Sequence, residues 1–228
     1  EGYAFLGRAS GGDFLLKIHS SGAILWKKVF ETSDYTSGLD VVQMLDGSYA
    51  ILGYHVTPGT ASSNTTYLNF ILKTDSVGNV IWGKDVGWSC PCLMYKGIHV
   101  YNEGYVLFGY GDNGDYTLYK TNQNGEKKWQ KEYGGRNREE AMKMVQIEDG
   151  GLALIGSTKD QATRESDIYL VQVKANGDLI SEKTYGGPGD DIGYSIVATD
   201  NCGLAFLGTK AGKDDFWLLR IDAEGDFE

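Results

Sequence analysis

The sequence predicts an all-β chain built from repeated four-stranded units, a β-propeller or a fragment of a larger propeller ring. Three observations carry this. A glycine-bounded apolar motif recurs five times. A second apolar run and a glycine turn follow every copy. No stretch of 11 or more residues has helical periodicity.

The first motif reads Gly-aromatic/Leu-x-apolar-x-Gly. It occurs at Gly2 to Gly7, Ser48 to Gly53, Gly104 to Gly109, Gly151 to Gly156 and Gly203 to Gly208. The closing glycines fall about 50 residues apart, a spacing that suits propeller blades. The second element runs from an acid or amide into an apolar strand: Asp13-Phe14-Leu15, Asn69-Phe70-Ile71, Asp115-Tyr116-Thr117, Asp167-Ile168-Tyr169 and Asp215-Phe216-Trp217. A glycine turn comes next, at Gly22, Gly78, Gly125, Gly177 and Gly225. In three copies a Trp lies four residues on: Trp26, Trp82 and Trp129. Repeated aromatics of this kind read as packing between units rather than as a ligand cage.

The third strand ends at Phe30, Val86, Tyr133-Gly134-Gly135 and Tyr185-Gly186-Gly187. A fourth then leads into the next copy, over 38–45, 97–101, 142–147 and 193–199. The repeats divide the single domain, 1–228, at about 1–46, 47–102, 103–149, 150–201 and a partial 202–228. In propellers that this repeat pattern resembles, the strand leading into the glycine motif is innermost. In that register the chain opens on a second strand and stops after a third, with eighteen strands in all. Both ends then cut a blade, which suggests a piece of a longer polypeptide. Open blade edges would allow self-association.

The segments Asp215-Phe216-Trp217-Leu218-Leu219-Arg220-Ile221-Asp222 and Trp129-Gln130-Lys131-Glu132-Tyr133-Gly134-Gly135 resemble tandem repeats of secreted and cell-surface proteins of bacteria and archaea. The resemblance spans essentially the whole chain. It implies repeat architecture and an extracellular or cell-envelope location, and it supplies no catalytic residues.

The chain has 228 residues, 41% of them hydrophobic, and a formal net charge of -10. It can bury a core. Its charge argues against nucleic acid and anionic lipid as partners. No apolar run reaches the length of a membrane-spanning helix. The odd set Cys90, Cys92 and Cys202 reads as loop or core thiols rather than a disulfide framework or a metal site.

Positions that differ between repeats are the functional candidates, because shared positions are explained by packing. Aligned on the closing glycines, Asp40, Lys96, Lys143 and Ser195 form one row, and Gln43, His99, Gln146 and Ala198 another. Either row can line an axial channel or stand as ordinary surface. The loops Arg136 to Glu140 and Pro188 to Asp191 occupy matching places. Glu139, Glu140, Asp190 and Asp191 could supply two carboxylates for glycoside chemistry, or be acidic turns. The insertion 56–67 carries Asn64-Thr65-Thr66, a glycosylation acceptor pattern. No cofactor or metal is expected, with calcium at the repeated acids as the alternative. The expected function is a non-catalytic module that binds a protein or glycan, or serves as a structural segment. The alternative is a carbohydrate-active hydrolase or lyase.

Overall fold

The computed structural model describes residues 2–9, 12–30, 36–57, 66–90, 94–101, 104–111, 113–200, 202–211, 216–223 and 225–227. Eighteen strands run through them. They are β1 (Gly2–Ala9), β2 (Gly12–His19), β3 (Ile24–Phe30), β4 (Thr36–Gln43), β5 (Tyr49–Thr57), β6 (Thr66–Thr74), β7 (Val80–Cys90), β8 (Met94–Tyr101) and β9 (Gly104–Tyr110). The second half continues with β10 (Tyr116–Thr121), β11 (Lys127–Tyr133), β12 (Arg138–Gln146), β13 (Leu152–Lys159), β14 (Ser166–Val173), β15 (Leu179–Tyr185), β16 (Ile192–Ala198), β17 (Leu204–Thr209) and β18 (Phe216–Ile221).

The strands form five separate sheets: β1-β2-β3, β4-β5-β6-β7, β8-β9-β10-β11, β12-β13-β14-β15 and β16-β17-β18. The chain is therefore all-β in small sheets of three or four strands, with the three-stranded sheets first and last. In each four-stranded sheet the glycine motif is the second strand, at β5, β9 and β13. Tight turns set this order. Gly22, Gly78, Gly125, Gly177 and Gly225 all have φ between +78° and +87°. That is left-handed backbone, which glycine adopts without a Cβ penalty. Asx side chains finish several of these turns: Asp75 Oδ1 accepts from the amides of Val77 and Asn79, and Asn122 Oδ1 from those of Asn124 and Glu126.

Register departs from the repeat pattern of the sequence in one respect. Gly7 pairs with Phe14 and Gly53 with Phe70, each one residue after the acid or amide. Gly156 pairs with Tyr169 and Gly208 with Trp217, each two residues after. Asp13 and Asn69 are thus not equivalent to Asp167. Because side chains alternate across a strand, the shift puts them on the opposite face. Asp13 is buried, and its Oδ2 accepts from the amide of Gly38 at 2.7 Å. Asp215 and Asn64 lie outside the described residues.

The chain folds into two compact units, Glu1–Val106 with Tyr119–Trp129, and Leu107–Leu118 with Gln130–Glu228. In the first, β4 packs on β1 and β2, and β8 on β4, β5 and β6. Leu15, Tyr49 and Ile51 are its buried centre, flanked by Leu6, Trp26 and Leu72. Trp26 meets Tyr49 edge-to-face at 5.8 Å between centroids, and Trp82 meets Tyr105 likewise at 6.0 Å. The repeated Trp therefore locks one sheet to the next. In the second unit, β16 packs on β12, β13 and β14. Its core joins Ile155, Ile168, Leu170 and Tyr185 to Ile196, Leu204, Phe206 and Ile221. Tyr133 and Tyr185 donate their hydroxyls to the turn carbonyls of Gly177 and Gly225, at 2.6 and 2.8 Å.

Candidate functional site

A repeated construction places the acidic loop of the second unit. The amide of Glu139, at the start of β12, donates to the carbonyl of Gly114 in the β9–β10 hairpin. The amide of Asp191, just before β16, donates to Ser166 at the start of β14. β12 and β16 bulge at matching places, between Ala141 and Lys143 and between Gly193 and Ser195. Glu139 and Asp191 are therefore equivalent, and both are buried.

Each faces an aspartate across a glycine. A Cβ on Gly134 would lie 2.6 Å from Glu139 Oε2 and 2.9 Å from Asp115 Oδ1. A Cβ on Gly186 would lie 2.0 Å from Asp167 Oδ1 and 2.8 Å from Asp191 Oδ2. The first glycine of each Tyr-Gly-Gly segment is the floor over which two carboxyl groups converge. No side chain fits there.

The two pairs differ in their partners. Asp191 accepts from the amides of Gly187 and Ala211, both at 2.9 Å. It ties loops together and is not a pocket residue. Glu139 Oε1 accepts from the Thr158 hydroxyl at 3.0 Å, while Glu139 Oε2 and Asp115 Oδ1 are buried with no hydrogen-bond partner among the described residues. Burial, opposed by the Thr158 hydrogen bond and reinforced by Asp115, pushes the Glu139 carboxyl up to about 7. Two facing carboxyl groups with orphaned oxygens are satisfied by one shared proton. The Asp167 carboxyl is also raised, first by burial and then by the charge of Asp191.

Glu139 borders a pocket of about 350 Å³. Glu140 and Asp190 line it too, with the cations Arg138 and Lys159. Ser157 and Ser166 add small polar groups, and Tyr110 and Ile192 an apolar wall. Asp190 Oδ1 accepts from the amide of Ser166 at 3.0 Å. Three of the four acids singled out from the sequence thus share one cavity, while Asp191 is turned inward. Lys159, Ser157, Ser166 and Tyr110 come from strand ends that the repeat pattern does not mark as a site. Their only signal is a position at the tip of a hairpin.

The two aligned rows are placed differently. In the first unit Asp40, Lys96 and His99 are half-buried. Asp40 accepts from its neighbour Val41, and from the amide of Ile98 at 3.1 Å, so it joins β4 to β8. In the second unit Lys143 and Gln146 are exposed on β12. A further pocket of about 420 Å³ in the first unit is mainly apolar, with Leu6, Phe30, Ile51, Phe70 and Leu72 in its wall. His55 Nε2 lies 3.2 Å from Asp85 Oδ1 at its edge. Among the described residues no group of three or more His, Cys, Asp or Glu side chains could hold a metal ion. No described helix is long and apolar enough to cross a membrane.

These sheets and this pocket make the chain a repeat-built all-β protein with a polar, mixed-charge cavity. No family model matches the chain, and no curated protein matches it. Among solved structures it is similar to a hypothetical protein from Leishmania major, at 9% identity and a TM-score of 0.47, over 96% of this chain and 80% of that one. A mutant of the Synechocystis apocarotenoid oxygenase gives 9% identity and a TM-score of 0.47, over 97% and 56%. A GDP-Man-dependent mannosyltransferase from Leishmania mexicana gives 11% and 0.44, over 100% and 84%. At these scores the likenesses carry no functional inference.

Proposed function

We propose that this chain is a propeller-like recognition module of the cell surface or envelope, binding a glycan or a polar segment of a protein. The observation that carries the reading is the pocket bounded by Arg138, Lys159, Glu139, Glu140 and Asp190. Facing cations and carboxylates offer donors and acceptors in one concave space, and Tyr110 gives an apolar surface against which a sugar or side chain can rest. The repeated sheets would form blades, so that rigid strands hold the hairpin tips that carry the site. A screen against glycan and peptide arrays, followed by calorimetry on Arg138→Ala and Lys159→Ala, tests it. Each variant is expected to weaken binding by roughly tenfold or more, about 1.4 kcal/mol. A ligand whose affinity neither substitution changes does not use this pocket.

One observation favours a second reading, a carbohydrate-active hydrolase or lyase. Burial raises the Glu139 carboxyl to about 7, and Glu140 and Asp190 stand on the same cavity, so a raised carboxyl and further acids share one site as in a glycosidase pair. Reducing-end assays on a polysaccharide panel decide it. Turnover abolished by Glu139→Gln supports the enzyme, and no turnover on any substrate leaves the binding reading.

A further inference from the structure

The fifth sheet repeats the fourth position by position, and the repeat shows what its open face is shaped to meet. Aligning Gly156, which pairs with Tyr169, on Gly208, which pairs with Trp217, makes Ile155 equivalent to Leu207, Ile168 to Phe216 and Leu170 to Leu218. Ile155, Ile168 and Leu170 are buried, because the fifth sheet covers them with Leu204, Phe206 and Ile221. The same face of the fifth sheet is uncovered: Phe216 is 76% exposed and Leu218 73%.

The covering side of the contact is also duplicated. Gly7 pairs with Phe14 as Gly208 pairs with Trp217. Tyr3, Phe5, Leu16 and Ile18 of the first sheet are therefore the counterparts of Leu204, Phe206, Leu219 and Ile221. Every one is apolar. Yet Tyr3 is 62% exposed and Phe5 48%, whereas Leu204 and Phe206 are sealed. Each unit thus carries one exposed half of a contact that the second unit also makes internally.

We propose that the fifth sheet of one chain docks on the first sheet of a second copy, reproducing between chains the packing of the fifth sheet on the fourth. The faces differ, so the association is head-to-tail, and it extends into a ring or a filament according to whether the rotation closes. Apolar contact drives it and the net charge of -10 opposes it, so added salt strengthens it. Neither the pocket nor its ligand takes part in this association.

Sedimentation velocity of the 228-residue chain over micromolar concentrations tests it. Growth beyond the monomer is expected, and it should be lost in Phe216→Asp/Leu218→Asp and separately in Tyr3→Asp/Phe5→Asp. Mixed together, the two blocked variants should give a one-to-one dimer and nothing larger, because each keeps one intact face. Hydrogen exchange on the unsubstituted chain is independent of whether the variants fold. Amides of β1 and β18 should slow as concentration rises. A chain that stays monomeric throughout, or blocked variants that assemble as the parent does, would overturn the proposal. So would concentration-independent protection of both faces, which marks closure within a single chain.

Discussion

Glu139 and Asp115 meet carboxyl to carboxyl above the Cα of Gly134, each with an oxygen that no donor among the described residues reaches. A proton between them is the least costly way to satisfy both. Asp115 Oδ2 is held by the amide group of Asn113, and Glu139 Oε1 by Thr158, which leaves the two remaining oxygens for each other.

This pair makes stability fall as pH rises. The Glu139 carboxyl titrates near 7 when folded, against 4.5 for an ordinary glutamate. The folded chain therefore binds the proton more tightly than the unfolded chain does. The stabilising effect is complete below about 4.5 and is lost as pH rises through about 7. Glu139→Gln keeps a donor toward Asp115 and cannot ionise. It should leave the melting temperature unchanged at acid pH and raise it above neutrality, by roughly 2–4 °C per kcal/mol recovered. Thermal melts of both proteins across the pH range check this.

Gly134→Ala and Gly186→Ala should each be strongly destabilising. The added methyl group would enter the space between two carboxyl groups in both cases, and Gly134 also has φ +141°, which side chains rarely adopt. A loss of about 2–4 kcal/mol is expected from the clash and backbone strain. Gly187→Ala, where a Cβ meets nothing within 4 Å, is the control. Urea titrations of the three variants measure the contrast.

Adjacent acids should behave oppositely. Asp191→Ala strands the amides of Gly187 and Ala211, and should cost on the order of 2–4 kcal/mol of stability. Asp190→Ala leaves one partly solvated amide, that of Ser166, and should cost about 1 kcal/mol or less while altering ligand binding in the pocket. Denaturation midpoints and binding isotherms on the same two variants separate the roles.

Removing the Trp contacts should loosen one sheet from the next. Trp26→Ala takes away the ring against Tyr49 and the surface over Gly78, whose added Cβ would lie 2.9 Å from the indole. Trp82→Ala does the same at Tyr105 and Gly125. Each should cost about 3 kcal/mol, and Trp→Phe less than half of that. Hydrogen exchange should show the loss concentrated in the strands on either side of the contact.

Strand order and number were legible from the chain alone, because turns and apolar alternation are local properties. Gly22, Gly78, Gly125, Gly177 and Gly225 each mark a hairpin whatever surrounds them. The pairing of Glu139 with Asp115 was not legible. Glu139 begins β12 and Asp115 ends the β9–β10 connection, and their approach requires the Gly134 floor and the bond from the Glu139 amide to Gly114. The sequence also made Asp190 and Asp191 look alike, since both are acids in one turn. One backbone step sends the first to the pocket and the second into the loop core.

The all-β class, the eighteen strands and the loops in which a site had to be sought thus follow from amino-acid order. The register does not. Packing between sheets sets it, and with it the one-position offset of Asp13 and Asn69 from Asp167. The same packing selects which acids share a pocket with Arg138 and Lys159. The reason is physical. Turn chemistry acts over a few residues, whereas side-chain facing changes with a one-residue slip, and a neighbouring sheet is needed to select between the two choices.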